Sequence, residues 1–174
     1  MAGYSIEKFE EEIEEIYPRL NRAMTVYLAG SEVDPEDILQ ETFLKAFRNL
    51  DKFKGGSGLY TWIYSIARNL CIDEFRKRKH QQNRSHVPVE EFELASDMYT
   101  SEPVNEEVLL LRKAISELPE NLREILVMQA IDEMSYADIS RITGINEQTL
   151  KNRTFRARKQ LAVILKKMGI SNNQ

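Results

Sequence analysis

The sequence predicts an all-α protein made of two small helical domains, and three observations point there. With 42% hydrophobic and 30% charged residues but only 7 Gly and 5 Pro in 174 positions, the composition suits a soluble, helix-rich protein better than a strand-rich or disordered one. Apolar residues recur at helical spacing along most of the chain. One stretch, residues 80–104, lacks that periodicity and contains Pro88 and Pro103, which makes it a flexible linker between a domain at 1–79 and a second at 105–174.

From Ser5, the residues Ile6, Phe9, Ile13 and Ile16 share one helical face. Pro18 then restarts a second helix bearing Leu20, Met24, Tyr27 and Leu28, because proline suits a first turn. In "SEVDPEDILQETFLKAFRNL", Asp34 caps, Pro35 takes the first helical position, and Glu36 and Asp37 complement the positive end of the helix dipole. Leu39, Phe43, Ala46 and Leu50 form its buried stripe. After the break "FKGGSGLY", a third helix runs through "TWIYSIARNLCIDEFRKRK", with Leu59, Trp62, Ile63, Ile66, Ala67 and Leu70 inward.

Beyond the linker, Leu109, Leu110, Ala114 and Leu118 mark an amphipathic helix, and "LPENLREILVMQAI" begins another with Pro119 near its start. Two shorter elements follow, and "SYADISRITGINEQTLKNRTFRARKQL" reads as a helix-turn-helix. Ser135 caps its first helix with Asp138 three residues on, Gly144 permits positive φ in the turn, and Asn146 caps the second helix. Ile139, Ile145 and Leu150 lock the pair, and Ser140 is small where the helices cross.

At about 100° per residue, with Leu150 buried, Thr154, Ala157, Leu161 and Ile164 fall inward. Gln148, Asn152, Phe155 and Lys159 point outward, flanked by Thr149, Lys151 and Arg156. Amides and cations of this kind read base edges in a major groove, so Gln148, Thr149, Lys151, Asn152 and Arg156 are the base-reading candidates. Arg153, nearer the buried stripe, suits a phosphate or a carboxylate of its own domain, and Arg158 and Lys159 suit phosphates. Phe155 fits either a thymine methyl or DNA sugar, or a neighbouring side chain.

Charge is segregated along a chain whose net charge is -4. Residues 55–86 carry six Lys and Arg against Asp73 and Glu74, residues 146–174 carry seven against Glu147, and residues 87–111 carry seven acids and no Lys or Arg. Two cationic zones suggest two surfaces that meet nucleic acid. No run approaches the about eighteen apolar residues of a membrane span, and the acidic start is unlike a signal peptide, so a cytoplasmic location is expected. The single cysteine, Cys71, excludes an internal disulfide and a cysteine-cluster zinc site and is expected to be buried. No metal or cofactor site is expected. "GGSG" lacks the Lys-Ser/Thr of a phosphate-binding loop, and His80 and His86 lack helical ligand spacing.

Three motifs together resemble bacterial RNA polymerase sigma factors of the extracytoplasmic-function (ECF) type. "DPEDILQETFLKAFRNLDKF" is similar to their polymerase-binding helix, "GLYTWIYSIARNLCIDEFRKRK" to their start-site-proximal promoter helix, and "LPENLREILVMQAIDEMSYADISRITGINEQTLKNRTFRARKQL" to their upstream-element domain. The resemblance implies a sigma region 2-like N-terminal bundle and a region 4-like C-terminal helix-turn-helix domain. It also implies a sigma factor that binds core RNA polymerase and directs it to promoter DNA, opening the start-proximal element and anchoring on the upstream one. The polymerase face would comprise Asp37, Gln40, Glu41, Leu44, Lys45 and Arg48, a mixed surface with an exposed leucine that suits a protein partner.

Start-proximal DNA would meet Tyr60, Tyr64, Arg68, Asn69, Asp73 and Arg76, the aromatic and amide groups holding unstacked bases and the cations the backbone. The resemblance places a flipped base in a pocket built from Gly55 to Tyr60. Leu59 stands where many relatives have an aromatic residue, which leaves that pocket's base preference open. Trp62 shares the inward face with Ile63 and Ile66, so core packing competes with stacking on a base; Asp73 pairs with Arg76 or Lys77 along the helix or meets DNA. The resemblance further implies an anti-sigma factor as partner. An independent helix-turn-helix regulator, binding duplex DNA without core polymerase, is the alternative. No nucleophile–base pair is evident from spacing, so no enzymatic activity and no small-molecule substrate are expected.

Overall fold

In a computed structural model, residues 4–84 and 105–170 are described, and among them the chain forms seven α-helices and no strand. The N-terminal half holds α1 (Ile6–Tyr27), α2 (Pro35–Arg48), a 3-10 turn at Leu50–Lys52, and α3 (Leu59–Arg84). The C-terminal half holds α4 (Glu106–Ser116), α5 (Glu120–Leu126) with a π-helical turn at Val127–Ile131, α6 (Tyr136–Thr143) and α7 (Glu147–Lys167).

The helix starts follow local capping chemistry. Ser5 Oγ accepts from the Lys8 amide, Asp34 from the Glu36 amide with Pro35 in the first turn, and Asn146 from the Thr149 amide at 2.9 Å. Ser135 Oγ accepts from the Asp138 amide and donates to its carboxylate at 2.7 Å, a reciprocal cap. Gly144 takes φ 73° and its amide closes on the Ser140 carbonyl at 2.8 Å, so the left-handed turn that joins α6 to α7 falls on the residue that adopts it without a Cβ clash.

Four expectations are corrected. Pro18 does not restart a helix: α1 passes through it unbroken. Pro18 is exposed, so the hydrogen bond that it cannot make is lost on the solvent side, while Ile16, Leu20, Ala23 and Met24 hold the opposite side in the core. Helix α3 runs to Arg84, and residues 80–84, expected in the linker, belong to it. "HQQNR" lacks apolar periodicity but contains no helix breaker, so the helix continues through it. Residues 85–104 of that expected linker lie outside the described residues. Helix α7 is 21 residues long rather than short. In α4 the buried positions are Ala114 and Ile115, whereas Leu109 is exposed together with Val108 and Leu111 among the described residues.

Within the N-terminal half α2 packs on α1 and α3; within the C-terminal half α7 packs on α4, α5 and α6. The halves also meet: α1 touches α4 and the π turn, and α3 touches α6. One apolar cluster therefore runs through both, from Phe9, Leu20 and Leu39 through Ile63 and Ala67 to Leu118, Ile125, Ile139 and Leu150. Cys71 is buried in it, 3.8 Å from the Met24 sulfur, and burial pushes its thiol up to about 12.

Candidate nucleic-acid interface

Helix α7 turns Leu150, Thr154 and Ala157 into the core, which fixes its opposite side outward. Gln148, Lys151, Asn152, Phe155, Arg156 and Lys159 are exposed, and Thr149 and Arg153 lie at the edges, half-buried. Phe155 is 69% exposed, so packing on a neighbour does not occupy its ring. With Thr149, Asn152, Arg153, Arg156 and Lys159 it borders an open recess of about 630 Å³. Gln148 Nε2 donates to Asn152 Oδ1 at 3.4 Å, a long contact that leaves both amides available to base edges. Arg158, expected on a phosphate, instead donates to Gln129 Oε1 at 2.6 Å across the same half.

The outer side of α2 is mixed in character. Asp37, Gln40, Leu44 and Arg48 are exposed, and Glu41 and Lys45 are half-buried and paired at 3.5 Å. Leu44 is 49% and Phe47 51% exposed, so a two-residue apolar spot lies among charges. Phe47 was missed by sequence reasoning. Its position three residues after Leu44, on one helical face, was the available signal.

Helix α3 divides along its length. Asn69, Asp73 and Arg76 are exposed, and Asp73 approaches Arg76 at 3.9 Å, the intrahelical pair that competes with a DNA role. Tyr64, expected outward, is only 2% exposed. It lies beside Tyr60, with ring centroids 6.0 Å apart, because the C-terminal half covers this side of the helix. The Tyr60 hydroxyl donates to Asp132 Oδ2 at 2.6 Å, and Arg68 Nε donates to Glu124 Oε1. Burial, reinforced by the Asp132 charge, pushes the Tyr60 phenol well above its ordinary range, and burial does the same to Tyr64. Trp62 packs against the core with its ring 5.2 Å from that of Phe53, which places it on the packing side of the two readings. Leu59 is buried, and Gly55, opening the preceding loop, takes φ 69°.

Comparison with known proteins places the chain in a family. The description Sigma-70 region 2 matches residues 13–81, and Sigma-70, region 4 matches residues 109–161. The chain is 33% identical over 144 residues to the ECF RNA polymerase sigma factor EcfG of Rhodopseudomonas palustris, covering 83% of this chain and 78% of the relative. It is 34% identical over 140 residues to the ECF RNA polymerase sigma-E factor of Escherichia coli K12, covering 74% and 72%. The solved sigma factor RpoE, in its complex with the anti-sigma factor NepR from Bartonella quintana, superposes with a TM-score of 0.78 at 30% identity, over 92% of this chain and 98% of that one. CnrH, solved with the cytosolic domain of CnrY, shares the fold at a TM-score of 0.69 and 22% identity, over 93% and 90%. With two region matches in the expected order and relatives covered over more than two thirds of their length, the chain belongs to the ECF RNA polymerase sigma factors.

Proposed function

We propose that this sigma factor divides initiation among three faces that act together on core RNA polymerase. The α2 face, with Asp37, Gln40, Glu41, Leu44, Phe47, Lys45 and Arg48, meets the polymerase. The outer side of α7 anchors on the duplex upstream element, with Gln148, Thr149, Lys151, Asn152 and Arg156 reading bases and Arg153 and Lys159 positioned for phosphates. The outer side of α3 and the Gly55–Tyr60 loop receive the start-proximal strand after melting. Flipping a base out of the duplex costs a few kcal/mol, on the order of what the polymerase contacts must supply. The parts on either side of residues 85–104 act as the two modules.

One observation supports this reading above the others: an exposed cationic and amide-bearing face on α7 with a bare aromatic ring, on a chain whose net charge is -4. Affinity from that patch is local and sensitive to salt, which suits a subunit that needs a larger machine to reach a promoter. An anti-sigma factor is the proposed regulatory partner, since RpoE of Bartonella quintana was solved with one and the α2 and α7 faces are open to a protein here. Working on polymerase places the protein in the cytoplasm, and no helix among the described residues is long and apolar enough to cross a membrane. Chemistry belongs to the polymerase, so the chain alone turns nothing over.

The test is in vitro transcription from a genomic library with purified core polymerase, followed by gel shifts on the recovered promoters. Specific start sites, with tight binding only when core is present, are expected. Strong specific duplex binding by the chain alone, without any initiation, would replace this reading with an independent helix-turn-helix regulator.

A further inference from the structure

The loop assigned to a flipped base is bare along most of its length. Lys54, Gly55, Gly56 and Gly58 are exposed, and a Cβ added at Gly55 or Gly56 would meet nothing within 4 Å. Its course is therefore set by its two ends. At one end the Phe53 amide donates to the Leu50 carbonyl at 3.1 Å and closes the 3-10 turn; at the other the Trp62 amide donates to the Gly58 carbonyl at 3.2 Å, in the first turn of α3. The side chains of these end residues meet, with the Phe53 and Trp62 rings 5.2 Å apart and tilted by 38°. The loop thus leaves and re-enters the fold on a pair of touching rings.

A third ring joins the pair from a distant part of the sequence. Tyr4 packs edge-on against Phe53, with centroids 5.2 Å apart and ring planes at 81°. What aims Tyr4 there is local. Ser5 caps α1 in an extended conformation at φ -75° and ψ 146°, its Oγ accepting from the Lys8 amide at 3.1 Å, so the residue before the cap turns off the helix axis. Tyr4 stands just before that cap and Phe9 at the fourth helical position, the spacing at which two apolar side chains fix the entry angle of a helix. Phe9 is buried, and Tyr4 and Phe53 pack half-buried at the edge of the same cluster. Lys8 Nζ lies over the Tyr4 ring at 5.2 Å from its centroid.

We infer that Tyr4 is a positioning residue for the start-proximal base: the ladder Tyr4–Phe53–Trp62 holds both ends of the Gly55–Tyr60 loop at the separation at which the loop receives a base. The inference rests on the assignment of that loop to start-proximal DNA. Tyr4 itself touches no DNA and acts through Phe53. A glycine-rich loop without support at its ends samples more shapes, and ordering it on a base then lowers affinity. A loop whose ends are already fixed loses less freedom when the base arrives.

The test uses holoenzyme made with the full chain and a fork-junction template built on a promoter recovered by transcription. In the single strand of that template each start-proximal base is replaced in turn by an abasic site. Fluorescence anisotropy reads template binding, while far-UV circular dichroism and thermal melting of the free chain read the fold. Wild type is expected to lose roughly tenfold in affinity at one abasic position, as when one base no longer stacks on protein. Tyr4→Leu, which keeps apolar volume without the ring, is expected to bind the intact template roughly tenfold more weakly and to lose nothing further at that abasic position. Such non-additivity marks two changes that act through one contact. Tyr4→Phe, which keeps the ring, is expected to bind as wild type does, and both variants are expected to capture core polymerase normally. Equal losses at the abasic position in wild type and Tyr4→Leu overturn the positioning role and leave the loop assignment standing. Absence of any sensitive position in wild type removes the loop assignment, and the inference with it. Weaker capture of core by Tyr4→Leu, or loss of its helix content, shows the ring serving the polymerase contact or the core instead, which also overturns the inference.

Discussion

The outer sides of α7 and α3 have much the same chemistry and opposite surroundings. Both combine cations, amides and an aromatic ring; yet Phe155 is 69% exposed while Tyr64 is 2% exposed. The difference lies in what each helix packs against. Helix α7 spends its contacts on α4, α5 and α6 of its own half, whereas α3 serves as the inner wall of one bundle and the seat of another. Helical periodicity therefore identifies which residues face away from a local core, and only the tertiary arrangement decides whether facing away means facing water.

The largest effect that would break this contrast lies beneath the open face. Leu150→Ala leaves a cavity under α7 and should cost about 2–5 kcal/mol, measured by chemical denaturation. The open face itself should respond next. Arg156→Ala in reconstituted holoenzyme should lose about 1–3 kcal/mol of upstream-element discrimination, read from transcription on matched and mismatched templates. Glu41→Lys should instead weaken capture by the polymerase while leaving that discrimination intact; equal loss of both functions in each variant would contradict the division of labour.

On the covered side, Tyr60→Phe deletes one donor to Asp132 and should cost about 1 kcal/mol in thermal or urea denaturation of the free chain. Alkaline pH should also separate the two regions. Tyr60, Tyr64 and Cys71 all lie on α3, and burial raises each above its unfolded value. Their contribution is complete below the unfolded values, 9.0 for the thiol and 10.0 for the phenols, and is lost as pH rises through the folded ones, with Cys71 at about 12. Hydrogen exchange should show α3 loosening above pH 10 before α7, and Cys71 should resist alkylation at pH 8 until the chain is unfolded. The smallest effect belongs to Thr154→Val: the buried Thr154 hydroxyl has no hydrogen-bond partner among the described residues, so its replacement should be neutral or stabilise by up to about 1 kcal/mol.

These regions also mark how far the sequence could be read. Asp34–Pro35, Ser135–Asp138, Gly144 and Asn146 were legible because a cap or a left-handed turn is settled within a few residues. The exposed residues of α7 followed from one buried anchor, Leu150. Tyr64, Asp132 and Glu124 were not legible, since their surroundings come from elements 56 or more positions away and no local pattern encodes that meeting. Pro18 misled for a related reason: a rule for isolated helices gave way to a core that grips the turns on both sides of it. In α4, the regular stripe led to Leu109 being assigned inward, but the neighbours cover only the later turns.

The π turn at Val127–Ile131 has one more consequence. It winds a single extra residue into one wider turn, so the chain beyond it keeps nearly the phase of a regular helix one residue shorter, and deleting one position there should restore ordinary winding while leaving Asp132 aimed much as it is. A one-codon deletion in the regular part of α5, with no wider turn to absorb it, would instead rotate this carboxylate by about 100° about the helix axis and carry it away from Arg19 and Tyr60.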